Sequence, residues 1–63
     1  MAEFEVYKDK TKEFRWRFRA NNGKIIADSA EGYKSKTDCE RGIDLVKTEA
    51  PKARVQDQTP ART

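Results

Sequence analysis

The stretch Glu13-Phe14-Arg15-Trp16-Arg17-Phe18-Arg19-Ala20-Asn21-Asn22-Gly23-Lys24-Ile25-Ile26-Ala27-Asp28 decides the fold. From Glu13 to Ala20 the residues alternate strictly. Phe14, Trp16, Phe18 and Ala20 point one way and Glu13, Arg15, Arg17 and Arg19 the other. A period of two marks a strand buried on one face, because successive side chains leave opposite sides of a pleated chain. Asn22-Gly23 is a strong hairpin signal, since both residue types tolerate the positive φ of a type I′ turn. Lys24 to Ser29 then reads as the returning strand. A two-residue loop pairs Asn21 with Lys24, Ala20 with Ile25 and Phe18 with Ala27. On the other face it pairs Arg19 with Ile26 and Arg17 with Asp28.

Toward the N-terminus, Glu3 to Lys8 alternates as well, with Phe4 and Val6 opposite Glu3, Glu5 and Tyr7. Asp9 to Lys12 is a polar turn. Matching the apolar faces sets Val6 across from Phe14 and Phe4 across from Trp16, which brings Glu5 to Arg15 and Glu3 to Arg17. The expectation is a three-stranded antiparallel meander. Toward the C-terminus, Ser35 reads as an N-cap with Asp38 three residues on. Cys39, Gly42, Ile43, Val46 and Ala50 fall on one helical stripe, and Pro51 ends the helix near Ala50. Leu45 lies outside the stripe. Ala53 to Gln56 reads as a short fourth strand whose one large apolar residue is Val55, and Asp57 to Thr63 as a disordered tail. The domain is thus expected at residues 1–56 and the tail at 57–63.

Sixty-three residues make one small domain, and 40% of them are charged. Chains this short rarely hold together without a disulfide, a metal or a partner. Cys39 is the one cysteine and there is no histidine, so an intrachain disulfide and a Cys/His zinc site are both excluded. Ser-His-Asp and Cys-His catalysis go with them. Association with a second copy is the remaining source of stability. The net charge is +3, but residues 1–50 hold eleven Lys and Arg against ten Asp and Glu, and residues 51–63 supply the other +2. A near-neutral body argues against long-range attraction to phosphate as the purpose of the fold. Neither a signal peptide nor a membrane span is legible, and an unpaired cysteine suits a reducing compartment, so a cytoplasmic protein is expected.

Phe4-x-x-Tyr7-Lys8-Asp9, Phe14-Arg15-Trp16-Arg17, Ala20-Asn21-Asn22-Gly23, Ile25-Ile26-Ala27, Gly32-Tyr33 and a helix with Ile43 and Val46 closely resemble the YegP-like family of small bacterial and archaeal proteins of unknown function. The match runs from about residue 4 to 56 and departs from the family at Lys12, where glycine is frequent. The resemblance implies a β-β-β-α-β unit of the α+β class, found as two tandem copies or as one copy that dimerises by exchanging its C-terminal strand. It implies no reaction, cofactor or ligand, so no site residue is carried over from it.

Arg15, Arg17 and Arg19 with Tyr7 form the one candidate nucleic-acid or partner face, a stripe with cations about 7 Å apart and a possible stacking platform. The preferred reading is a solvated face whose arginines pair with Glu3, Glu5 and Asp28. Phe4, Phe14, Trp16 and Phe18 are read as core, and Cys39 as a small buried hydrophobe. Leu45 and Val55 are the candidate dimer contacts. No catalytic residue, cofactor site or metal site is expected. The sequence reads as a non-catalytic homodimeric module with an unidentified protein partner, weak RNA or DNA binding through the arginine strand face and the basic tail being the less favoured alternative and a membrane excluded.

Overall fold

A computed structural model describes residues 1–60. The expected meander is present: β1 (Glu3–Lys8), β2 (Phe14–Arg19) and β3 (Ile25–Asp28) lie in that order in one antiparallel sheet. Helix α1 (Lys36–Glu49) packs on the aromatic face and runs on into a 3-10 turn over Ala50–Lys52, with Pro51 inside it. Ser35 is the N-cap as expected, its extended backbone letting Oγ accept from Asp38 N at 3.1 Å.

The first hairpin differs from the expected register by two residues. Val6 sits opposite Trp16, Phe4 opposite Phe18, Glu5 opposite Arg17, Glu3 opposite Arg19 and Tyr7 opposite Arg15. A slip of two preserves every face, so the hydrophobic pattern cannot detect it; the turn decides. Lys12 N donates to Asp9 O at 3.0 Å and Asp9 N to Glu13 O at 2.9 Å, closing a tight four-residue turn. The Asp9 carboxylate braces it, with Oδ1 accepting from Thr11 N at 2.9 Å, Thr11 Oγ1 at 2.7 Å and Glu13 N at 3.0 Å.

The second hairpin repeats the device. Gly23 N donates to Ala20 O at 2.9 Å and Ala20 N to Lys24 O at 2.7 Å. Gly23 has φ +88° and Lys12 φ +66°, and Lys12 alone among the described non-glycine residues has positive φ. Asn22 therefore does not take up the expected type I′ conformation. Both loops are type I turns closed by a left-handed residue, a geometry that suits the strand twist as well as type I′ does. Arg17–Asp28 and Phe18–Ala27 pair as expected, but a bulge between Phe18 and Arg19 brings Arg19 to Ile25 instead of Ile26.

The sheet is wider at one end than the strand pattern implies. Phe14 and Tyr33 form a bridge through a reciprocal pair of hydrogen bonds of 2.7 and 2.8 Å, so the loop before α1 continues the line of β3. Among the described residues Trp16, Cys39 and Ile43 are the buried hydrophobic ones, with Phe4, Phe14, Phe18, Tyr33 and Val46 packed around them. Phe4 meets Trp16 edge to face, ring centres 5.5 Å apart. The helix approaches closely at Gly42, where a Cβ would lie 2.9 Å from Tyr33 Oη and 3.4 Å from Trp16 Nε1.

The expected fourth strand is not paired in the single chain. From Ala53 through residue 60 the backbone takes no regular structure, and Val55 is 97% exposed. Of the expected tail at 57–63, residues 61–63 lie outside the described part of the chain.

Candidate functional site

The open face of the sheet carries the four residues singled out from the sequence, and the register places them together. Arg17 stacks on Tyr7, its guanidinium carbon 4.7 Å from the ring centre. Arg15 Nε donates to Asp9 Oδ2 at 2.5 Å, Arg17 Nε to Glu5 Oε1 at 2.7 Å and Arg19 Nε to Glu5 Oε2 at 3.1 Å. Arg19 also donates to Gly23 O at 2.8 Å. Glu5 stands between two guanidiniums because the two-residue shift in register centres it on Arg17. Asp9 as the partner of Arg15 escapes the sequence reading, since that pairing follows only from the tight turn.

The electrostatics agree with the geometry. Arg19 first, then Arg17, pull the Glu5 carboxyl from 4.5 down to about 2. Arg15, helped by the Thr11 hydroxyl and the Glu13 amide, holds Asp9 well below the usual carboxylate range. Each arginine on this face is therefore matched to a carboxylate that stays ionised. The arginine side chains keep about a third of their surface exposed, so solvent screens the pairs and they order the face more than they stabilise the fold.

A second feature is not legible in the sequence. Between the free edge of β1 and α1 lies an open groove of about 620 Å³. Phe4, Val6, Phe18 and Ile43 line it on the apolar side, and Glu3, Glu40, Asp44 and Lys47 contribute its charged lining. Its components are spread over three elements, and only the pairing of β1 with β2 and the direction of α1 bring them together. Leu45 is 62% exposed and, like Val55, lies outside the groove in the single chain. Cys39 is 0% exposed, and burial, with Glu40 adding to it, pushes its thiol pKa up, which is the behaviour of a packing residue. Among the described residues no cluster of three or more His, Cys, Asp or Glu is placed to hold a metal ion. No described helix is long and apolar enough to cross a membrane.

Comparison with known proteins gives the same outline. A UPF0339 protein of Agrobacterium fabrum is 51% identical over 61 residues, 97% of each chain. A UPF0339 protein of Stutzerimonas stutzeri is 54% identical over 48 residues, which are 76% of this chain and 42% of that one. The solution structure of a protein from Haloferax volcanii superposes with a TM-score of 0.82 at 48% identity, covering 89% of this chain and 93% of the other. The domain of unknown function DUF1508 matches residues 9–57. With that match spanning most of the chain, and with relatives of about half-identical sequence along nearly their whole length, the chain belongs to the DUF1508 (UPF0339) family, small α+β proteins of uncharacterised function.

Proposed function

We propose that this chain is a cytoplasmic, non-catalytic interaction module that works as a homodimer, the segment Ala53–Gln56 of each copy completing the sheet of the other. The observation that carries this is the pairing of an unfilled apolar groove with a stranded apolar residue: Phe4, Val6, Phe18 and Ile43 line the groove while Val55 is 97% exposed. Burying one valine fully is worth about 1.5–3 kcal/mol, and a core of three buried hydrophobic side chains has need of it. Charge supports the same partner, because Lys52 and Arg54 flank the valine and Glu3, Glu40 and Asp44 outnumber Lys47 around the groove. The Stutzerimonas relative, in which the matching segment is 42% of the chain, has length for two such units in one polypeptide.

Light scattering after size exclusion, across roughly a hundredfold dilution, should return twice the chain mass. Val55→Asp should yield monomer with much reduced helix and sheet. A compact wild-type monomer, or a folded Val55→Asp monomer as stable as wild type, would refute the reading. Nucleic-acid binding through Arg15, Arg17 and Arg19 draws no support from this geometry, since Asp9 and Glu5 already hold all three guanidiniums.

A further inference from the structure

The fold gathers lysines that the sequence scatters. Lys8 ends β1 opposite Phe14, its Nζ 5.1 Å from the Phe14 ring centre. Tyr33 bridges Phe14 from the other side, Lys34 follows it, and Lys36 opens α1. Lys10 and Lys12 sit in the turn that joins β1 to β2. Neighbouring strands are about 4.8 Å apart, so the backbones of Lys8 and Tyr33 are within about 10 Å and one end of the sheet carries all five lysines. All five are exposed, and none forms an ion pair among the described residues.

That end is polarised. Besides the lysines it holds Arg15 against the carboxylates Asp9, Glu13, Glu31 and Asp38, a surplus of two positive charges. The rest of the first fifty residues carries a surplus of one negative charge, so the near-neutral body is a dipole and not a blank. The N-terminus of α1 lies at the same end and adds roughly half a positive charge.

We infer that this lysine end is a docking surface for the phosphate backbone of nucleic acid. Insertion into a lipid surface needs several exposed apolar side chains, and of the exposed large hydrophobic residues Val6 alone, in β1 with Lys8, is near this end, while Ile25, Ile26, Leu45, Val55 and Met1 belong to other segments. A protein partner would want an aromatic or aliphatic anchor at the centre of the contact, and Phe14 is already covered by Lys8. Flexible ammonium groups without apolar anchors suit a sequence-independent polyanion. The inference names a partner for the proposed module but does not depend on the dimer, because chain mass reads one and nucleic-acid affinity the other.

The test is fluorescence anisotropy with a labelled single-stranded RNA and a DNA duplex of mixed sequence. With about four phosphates neutralised, affinity should fall roughly 50-fold for the single strand and 150-fold for the duplex between about 50 and 200 mM salt. Lys10→Glu/Lys34→Glu/Lys36→Glu should lower affinity at least tenfold at low salt, and Arg17→Gln/Arg19→Gln should leave it within about threefold. Circular dichroism checks the fold of each variant. Should the charge reversals unfold the chain, Lys10→Gln/Lys34→Gln/Lys36→Gln should reduce the salt slope by about two to three. No wild-type binding at about 100 µM protein in low salt would overturn the inference, as would equal binding by a folded lysine variant. Binding to phosphatidylserine vesicles without binding to either nucleic acid would overturn it too.

Discussion

Lys12→Gly should stabilise the protein. Lys12 holds φ +66°, a conformation that sets its Cβ against the following carbonyl and costs an L-residue about 1–2 kcal/mol. Glycine removes that strain but brings a more disordered unfolded chain, which takes back about 0.4–1 kcal/mol. The balance is a gain of about 0.5–1 kcal/mol per chain. For a domain of this size it raises the melting temperature by about 2–8 °C. Thermal unfolding followed by circular dichroism at one fixed protein concentration measures it, the fixed concentration mattering because association shifts the midpoint. Lys12→Ala separates backbone from charge: it removes the same ammonium group yet keeps a Cβ at the same φ. Gly23 offers the mirror experiment. It holds φ +88° with nothing within 4 Å of the place a Cβ would take, so Gly23→Ala should lose about 1 kcal/mol from conformation alone. An unchanged or lower midpoint for Lys12→Gly, or an equal rise for Lys12→Ala, would refute the reasoning.

Gly42→Ala should destabilise by about 1 kcal/mol despite alanine's better helix propensity, because its methyl group would lie 2.9 Å from Tyr33 Oη. Tyr33→Phe/Gly42→Ala should recover most of the loss in urea unfolding followed by Trp16 fluorescence; no recovery would mean the helix contact lies elsewhere. Acid should weaken the fold through the open face. Folding lowers the carboxyl pKa values of Glu5, from 4.5 to about 2, and of Asp9, so their stabilisation is complete above about pH 4.5 and fades as the pH falls below it. The urea midpoint should therefore drop between about pH 4.5 and 2.5 in the wild type and drop less in Glu5→Gln/Asp9→Asn; parallel acid profiles would contradict the ion-pair account.

Residues whose roles are set by near neighbours are legible in the sequence. Alternation places Phe14, Trp16 and Phe18 on one face and the arginines on the other, Ser35 announces the helix, and Pro51 marks its end. The pairing of β1 with β2 is not legible, because a period of two is blind to a shift of two, and only the hydrogen bonds of the Asp9 carboxylate and the left-handed Lys12 settle it. Lys12 holds φ +66°, a conformation that glycine adopts without strain, and no periodic pattern announces it. The bridge from Tyr33 to Phe14 joins residues nineteen apart with no periodic signal to announce it. The groove and the gathering of lysines share that character. Each is assembled from segments whose individual patterns say only that they are strand, turn or helix.

The bulged pairing of β3 bears on how the protein avoids polymerising. An antiparallel sheet with two free edges can add strands at both, and repeated head-to-tail addition would grow a fibre. The β3 edge is a poor template for such growth. It is four residues long, a bulge at its own Ile26 interrupts its pairing, and its exposed Ile25 and Ile26 lie between Lys24 and Asp28. Charged flanks, short length and local twist are the means by which natural sheets discourage edge-to-edge aggregation. Lys24→Val/Asp28→Val would leave the fold's internal contacts in place and turn the chain toward fibres.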